Sequence, residues 1–466
     1  MKRSILATII LLIALAFTTK AQEWSEPVTV FEGGTNYDPD FAIDSNGALH
    51  VVWEHKINDN YGKIYYSKST NQGETWSEPY DLAQNSDSRL AQPKIAVGND
   101  NNLFVSYDWI VYGEQNTNVY LQVFNGEEWG EPMVVSEGTP ASWYSKLAVD
   151  NDGMLHIIWF YNPTGKFRIR TYFNGQFSQI TEPISGNTNR YAVYSMLFDK
   201  NNVLHCAAQM ETSSSYYSKL VYFTCHNNQW SDVTIVADTM YLGAMALDPN
   251  NNPRNVWWST TGIGIHHTYY NQFDNGVWSP LFRLAGKSRE HTLIVEKNGT
   301  EHIVQSEKIA EGYRHMHYIN RNGIWKSEEL WADQYGSCNN KLLFYDTTMY
   351  LLYNRAIADD IYDLSIVIRK KSIDSQVSIN ELNASSEISV YPNPANNRFT
   401  IETGSLQNSH CVVIITDLKG SVVYLQNSLP IDGKIECETK DLQAGVYFLT
   451  VRTSQTISTT KLIITK

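Results

Sequence analysis

From Trp24 to about Ser372, short apolar runs alternate with polar turns, and the whole alternation returns about every 50 residues. The clearest unit is a polar turn followed by an apolar strand. It reads Asn46-Gly47-Ala48-Leu49-His50-Val51-Val52-Trp53, then Asn102-Leu103-Phe104-Val105-Ser106-Tyr107, then Gly153-Met154-Leu155-His156-Ile157-Ile158-Trp159. Weaker copies start at Val203, Pro253, Glu301 and Met349, which makes seven. An apolar strand precedes each copy, as in Phe41-Ala42-Ile43, Lys94-Ile95-Ala96-Val97 and Lys146-Leu147-Ala148-Val149. A hairpin follows most copies. Its turns are Asn125-Gly126, Asn174-Gly175, Asn275-Gly276 and Asn322-Gly323, each shortly before Trp or Phe. Asn-Gly suits a two-residue hairpin because both residues accept positive φ.

Each repeat therefore predicts four antiparallel strands, and seven such sheets predict an all-β, seven-bladed β-propeller over residues 22–375. A parallel β-helix is disfavoured, because the hairpin turns demand antiparallel neighbours. The seventh repeat stops after a third strand, Asp363 to Ile368. The unmatched segment Trp24-Ser25-Glu26-Pro27-Val28-Thr29-Val30 resembles the presumed fourth strands Trp76-Ser77-Glu78-Pro79 and Trp129-Gly130-Glu131-Pro132. It is expected to complete the last blade and close the ring, which removes open sheet edges.

Both ends have a different character. Lys2 and Arg3 precede a nearly continuous apolar run from Ile5 to Phe17, and Thr19-Lys20-Ala21 offers a cleavage site. This predicts a signal peptide over 1–21, too short for a comfortable membrane span. A linker is expected over 376–384, and the mature chain is expected to have no transmembrane segment. From 385 to 466, short alternating strands punctuated by Gly, Asn and Pro predict a small C-terminal β-sandwich. The phrases Val390-Tyr391-Pro392-Asn393-Pro394, Asp417-Leu418-Lys419-Gly420, Gly445-Val446-Tyr447 and the final Lys461-Leu462-Ile463 stand in an order that resembles the type A sorting domain of type IX secretion. The resemblance implies a partner, the type IX machinery, and a place outside the cell or on the outer-membrane surface of a Gram-negative bacterium. The turn Ser69-Thr70-Asn71-Gln72-Gly73-Glu74-Thr75-Trp76 resembles the Asp-box (BNR repeat) of sialidase-like propellers, with Asn71 where Asp is usual. That scaffold serves sialidases, polysaccharide lyases, lectin-like propellers and proteins unrelated to sugars.

Charge narrows the partners. The chain carries a formal −13, and loss of the signal removes three cations. Such a protein gains no general attraction to nucleic acid or to anionic membranes. Aromatics are abundant, with 29 Tyr and 13 Trp. Most suit half-buried strands, and a minority is available to stack on sugar rings.

Ligands of a propeller generally meet the face where first strands enter and second strands leave. Blades 6, 7, 1 and 2 place charged candidates there: Arg289, Glu290, His291, Glu307, Arg355, Tyr37, Asp38, Asp40, Glu54, His55, Arg89 and Asp108. Blades 3 to 5 place aromatic ones, led by Trp143, Tyr144, Tyr191, Tyr241 and Trp258, together with Arg190. A polysaccharide is the expected ligand, held by Arg89, Tyr144, Tyr191, Tyr241, Arg289 and His291. Resemblance to propeller lyases nominates His55, Tyr37 and Arg355 as base, acid and uronate-neutralising group. A sialidase-type hydrolase would instead use Arg89, Arg289 and Arg355 as a carboxylate clamp. However, Asn36-Tyr37-Asp38-Pro39-Asp40 stands where the usual Arg-Ile-Pro phrase belongs. A non-catalytic adhesive propeller that binds protein is the third reading. The histidines His50, His156, His205 and His302 recur at one strand position, which suits a scaffold role. No metal or other cofactor is expected. Cys206 and Cys225 fall on consecutive strands, Cys411 and Cys437 in the C-terminal unit, and Cys338 is left over.

Overall fold

The computed structural model describes residues 23–465, apart from 85–87, 112–115, 139–140, 185–187, 213–217, 261–265, 286–287, 310–311, 334–336, 357–362, 374–387, 403–410, 418–421, 429–432, 441 and 453–456. The expected signal peptide and linker lie outside the described residues. The chain divides into two compact units, 1–375 and 376–466.

The first unit is a β-propeller. Among the described residues its strands form six hydrogen-bonded sheets, and the eight-stranded one joins two antiparallel blades through a parallel bridge between Gly62 and Arg89, which gives seven blades. Their first strands are Thr35–Ile43, Arg89–Val97, Ser142–Val149, Arg190–Phe198, Gly243–Leu247, Ser288–Val295 and Ser337–Tyr345. Each first strand neighbours the next, and the seventh returns to the first. The ring is therefore closed, with first strands innermost. Val28–Phe31 pairs antiparallel with Leu364–Ser372, so an N-terminal strand is the outer strand of blade 7. Ser25 reinforces the seam: its N–H donates to the Lys370 carbonyl at 2.8 Å, and its Oγ accepts from the Lys370 N–H at 3.0 Å.

The fourth strands begin later than the sequence suggests. Trp76-Ser77-Glu78-Pro79 precedes the strand Tyr80–Asp81, and Trp129 to Pro132 precedes Met133–Val134. Isolated bonds come before the proline, from Ser77 N–H to Lys68 O and from Gly130 N–H to Val123 O, but proline lacks the N–H that a ladder needs, so the regular strand starts beyond it. The hairpin turns also divide. Asn174, Asn275 and Asn322 have φ of 48°, 53° and 52°, with their glycines at 80°, 81° and 80°, as two-residue turns require. Asn125 does not join them. Its Oδ1 accepts from the N–H groups of Glu127 and Glu128, and a wider loop brings Phe124 opposite Trp129.

The recurring histidines serve the turns between first and second strands. Asp44, Asp150 and Asp199 each accept two backbone N–H groups of their own turn. The histidine on the following strand meets the other carboxylate oxygen: His50–Asp44 at 3.4 Å, His156–Asp150 at 3.0 Å and His205–Asp199 at 3.5 Å. Blade 6 substitutes Glu296 for Asp, with His302 at 2.6 Å. Blade 5 substitutes Arg254 for His, at 2.8 Å from Asp248. A buried turn acid thus gains a partner inside each of these blades.

The second unit is a small β-sandwich. One sheet holds Ser389–Tyr391, Arg398–Glu402 and Lys434–Glu438; the other holds Val422–Ser428, Cys411–Thr416, Gly445–Arg452 and Ile457–Ile464. Phe399, Ile401, Val413, Ile415, Leu449 and Leu462 fill its core. Cys411, Cys437, Cys206 and Cys225 form no disulfide among the described residues. Cys206 faces Phe223 while Cys225 faces Leu204, so the latter two cysteines are offset by one pleat rather than directly opposed.

Candidate functional site

The site begins with a defect repeated around the ring. In six first strands the register slips at one level: between Tyr37 and Asp40, Ala91 and Lys94, Trp143 and Lys146, Val193 and Ser195, Arg289 and Thr292, and Cys338 and Lys341. Such bulges bend a strand and re-aim its side chains. Four of them hold a non-glycine residue in the left-handed region: Asp38 at φ 48°, Gln92 at 58°, Tyr144 at 60° and Asn339 at 57°. Each stands two residues before Asp40, Lys94, Lys146 and Lys341, respectively. Those four residues, with Ser195, Ala244 and Thr292, occupy one register level around the ring.

The bulges fix the charged sector. Glu54 and Asp108 sit at equivalent positions near the ends of the second strands of blades 1 and 2, opposite Tyr37 and Ala91. Both are buried. Arg89 reaches Glu54 Oε1 from blade 2 through Nε at 2.9 Å and Nη2 at 2.8 Å. Glu54 Oε2 is buried without a hydrogen-bond partner. Burial pushes the Glu54 carboxyl up to about 7, although Arg89 opposes the shift. Asp108 Oδ2 accepts the backbone N–H of the bulged Tyr144 at 3.1 Å, and its Oδ1 is also buried and unpaired. Burial lifts Asp108 to about 7 as well. Burial thus holds two carboxyls in adjacent blades above the usual carboxylate range.

The aromatic sector lies beside it. Trp143, Tyr144, Phe160, Asn162, Arg190 and Glu211 line much of a cavity of about 320 Å³ between blades 3 and 4. The Trp143 ring stands 6.3 Å from Tyr144 and 6.1 Å from Phe160. Arg190 lies 5.2 Å from the Phe160 ring centre and donates to Asn162 Oδ1 at 2.9 Å. Tyr144 is half exposed, at 50%. In blade 5, Tyr241 is equally exposed and stacks on Trp258 at 4.6 Å.

The remaining sequence candidates fare differently. Tyr191 was expected beside Tyr144 and Tyr241, but it is buried in the core of blade 4. It lies four residues before Ser195, whereas Tyr144 lies two before Lys146, so Tyr191 falls one pleat short of the bulge and packs inward. His291 is buried too. Its Nε2 lies 3.3 Å from the Leu242 carbonyl, and burial lowers its pKa to about 4, so it offers a ligand no cation. His55 is half-buried against Tyr65 at 5.2 Å and Phe31 at 5.6 Å, and its Nδ1 meets Asn36 Oδ1 at 2.8 Å. Burial lowers its pKa. Arg355 is exposed at the rim of blade 7 and makes no hydrogen bond or ion pair with His55. Asn36 nevertheless connects their surroundings, donating to Leu364 O at 2.6 Å and accepting from Asn354 at 2.8 Å through its carbonyl. The three-arginine clamp loses an arm, because Arg89 is committed to Glu54; the Arg289 side chain lies outside the described residues.

Sequence reasoning missed Lys94, Lys146 and Lys341. Their signal was present in the repeat: Lys94 and Lys146 precede near-identical phrases, Ile95-Ala96-Val97 and Leu147-Ala148-Val149.

The C-terminal unit is matched by a known family. Residues 389–465 match the secretion system C-terminal sorting domain. The chain is therefore exported, and is either released or held at the outer-membrane surface of a Gram-negative bacterium. The sorting domain carries the address and leaves the propeller's chemistry open. No curated protein matches the chain. Among solved structures, a polysaccharide lyase described as an ulvan lyase superposes with a TM-score of 0.54 at 9% identity, over 74% of this chain and 95% of that one. The same lyase bound to GlcA(1-4)Rha3S gives the same values: TM-score 0.54, 9% identity, and 74% and 95% coverage. An α-L-arabinofuranosidase from Fusarium graminearum gives a TM-score of 0.47 at 15% identity, over 75% of this chain and 98% of that one. Among the described residues no helix is long and apolar enough to cross a membrane.

Proposed function

We propose that the exported propeller binds a carbohydrate, a polysaccharide, across the face that joins its charged and aromatic sectors. The observation that carries this reading is the cavity walled by Trp143, Tyr144 and Phe160 and rimmed by Asn162, Arg190 and Glu211. Aromatic faces match the C–H faces of sugar rings, and a few polar groups at the rim fix orientation. Tyr241 on Trp258 extends the aromatic surface to blade 5. The likeness in fold to a polysaccharide lyase is consistent with this use, and the hydrogen-bonded turn from Ser69 to Trp76 fits a sialidase-like scaffold. A glycan array with the wild-type chain and a Trp143→Ala/Tyr144→Ala variant tests the reading. Retained binding by the variant would place the site elsewhere, and absence of any glycan ligand would favour the adhesive alternative.

A second reading is glycan cleavage, and Glu54 and Asp108 favour it. Two carboxyls lifted to about 7 can serve as general acid and base at neutral pH. His55, Tyr37 and Arg355 remain the nominated lyase set, with His55 neutral and so able to accept a proton. Product release from a panel of acidic and neutral polysaccharides separates the two mechanisms: Glu54→Gln and Asp108→Asn abolish turnover in one, and His55→Ala abolishes it in the other.

A further inference from the structure

We propose that the lumen of the propeller is an anion site, in which Lys94, Lys146 and Lys341 together hold one compact oxyanion such as a sulfate, phosphate or carboxylate group. The three lysines share one register level on the innermost strands of blades 2, 3 and 7. Blades 3 and 7 do not adjoin in the ring. Their lysines still lie close enough for Lys341 to repel Lys146, and Lys94 repels Lys146 as well. Lys341 also reaches to 3.7 Å from Asp40 in blade 1, and Asp40 in turn bonds blade 2, so side chains of blades 7, 1, 2 and 3 face one lumen.

That space gathers positive charge inside an acidic protein. Lys94 Nζ donates to the carbonyl of Pro93 at 2.6 Å, and Lys146 Nζ to that of Ser145 at 3.3 Å. Among the described residues neither ammonium has a carboxylate within ion-pair distance. Three acids influence the cluster: Asp40, Asp38 and Asp108. Asp40 is shared, with Oδ1 3.7 Å from Lys341 and Oδ2 accepting the Ile95 N–H at 3.1 Å. Asp108 is turned to the Tyr144 N–H. Like charges gathered around one lumen repel one another, and that repulsion is costly. Here the cost recurs at matched positions, while Ser195, Ala244 and Thr292 show that the level tolerates small neutral residues. An oxyanion at the centre would receive donors from three directions and offset the repulsion. This inference does not depend on the glycan reading, because none of the three lysines lines the aromatic cavity.

The experiment is calorimetric titration and thermal melting of the full chain with sodium sulfate against sodium chloride at matched ionic strength. A Lys94→Met/Lys146→Met variant and a Trp143→Ala/Tyr144→Ala variant are run alongside. Sulfate is expected to bind and to raise Tm in the wild type and in the aromatic variant. The lysine variant should bind at least about tenfold more weakly. Without sulfate it should melt at or above wild type, because it has lost a repulsion between like charges, which guards against misfolding as the explanation. A sulfated oligosaccharide forms the second arm: lysine-dependent binding of the sugar but not of free sulfate also supports the site and assigns the anion to a glycan substituent. Equal responses to sulfate and chloride with no lysine-dependent sugar binding, or a sulfate response that survives in the lysine variant, would overturn the proposal.

Discussion

Arg89 in blade 2 donates twice to a single oxygen of Glu54 in blade 1, at 2.9 and 2.8 Å, and the second Glu54 oxygen is buried with no partner. The pair joins two blades at the mouth of the ring. Arg89→Ala leaves a buried carboxyl that must either stay charged alone or take a proton. Loss of about 2 kcal/mol is expected. The loss should depend on pH. Arg89 holds the Glu54 pKa below the value burial alone would set, so its removal raises that pKa further above the unfolded one. The cost is small below pH 6, where Glu54 is largely protonated in both proteins, and grows through pH 7 to 9. Urea melts of both proteins at pH 5.5 and 8.5 read the difference; an equal loss at both pH values would contradict the assignment.

Asp108 and Lys146 predict a dip in stability around neutrality. The folded pKa of Asp108 is raised to about 7 from 3.8, so between these values the folded state holds more protons than the unfolded one. Stability contributed by this group is full below pH 3.8 and is lost as pH rises through 7. Lys146 is lowered to about 7 from 10.5, so from pH 7 to 10.5 the unfolded state holds more protons and stability rises with pH. Asp108→Asn should flatten the acid limb and Lys146→Met the alkaline limb of a Tm–pH curve. A curve that keeps both limbs in both variants would refute these origins.

The blade pattern was legible in the sequence because strand period and turn chemistry are local. Asn174-Gly175 specifies a tight hairpin whatever surrounds it, and Leu49-His50-Val51-Val52-Trp53 reads as a buried strand from its own residues. Bulges are not local in that sense. The slip between Val193 and Ser195 depends on how the blade meets its neighbours, and it decides that Tyr191 packs inward while Tyr144, set in its own bulge, stands half exposed. The lumen lysines were hidden for a related reason. Lys94 and Lys146 look like ordinary strand-edge residues until closure of the ring brings Lys341 across to them. The pairing of Glu54 with Arg89 likewise needs two blades and could not be read from either repeat alone.

Removal of the N-terminal strand should open the ring. Residues 23–31 supply the outer strand of blade 7, the Ser25 contacts to Lys370 and the Trp24 ring packed beside His317 at 5.7 Å. A chain lacking them exposes the edge of Leu364–Ser372, which invites pairing between molecules. A lower Tm and concentration-dependent aggregation by size-exclusion chromatography are expected. A monomeric deletion with unchanged Tm would show that blade 7 does not need this strand.

The histidine ladder of blade 6 should matter for folding and not for ligands. His302 meets Glu296 at 2.6 Å and His317 at 2.9 Å, and His317 meets Glu328 at 2.8 Å. Glu328 also receives Lys371 at 2.5 Å, and its carboxyl is held down to about 2, first by the hydrogen bond from His317. His317→Leu breaks the chain at its centre and takes from the buried His302 its Nδ1 partner, at a cost of roughly 1–3 kcal/mol, while Glu328 keeps Lys371. Glycan affinity, measured below the Tm of the variant, should be unchanged. A loss of affinity without loss of stability would move these histidines from scaffold to site.

The glycan reading makes its sharpest claim at Tyr144. Its left-handed backbone is held by the N–H bond to Asp108, and its half-exposed ring joins Trp143 at the cavity edge. The ring and the backbone can therefore be tested separately. Tyr144→Ala removes the stacking surface but keeps the N–H on Asp108, so binding should weaken about tenfold to a hundredfold while Tm changes little. Tyr144→Phe keeps the ring and should retain most of the affinity. Tyr144→Gly keeps the N–H and relieves the positive φ, so it should bind as poorly as the alanine variant while melting no lower. Tyr241→Ala probes the same surface in blade 5, and its effect should grow with oligosaccharide length, since blade 5 lies farther along the ring. Titration of the four variants with oligosaccharides of increasing length measures all of this. If alanine at 144 binds as tightly as tyrosine, the aromatic cavity is not where the polymer lies.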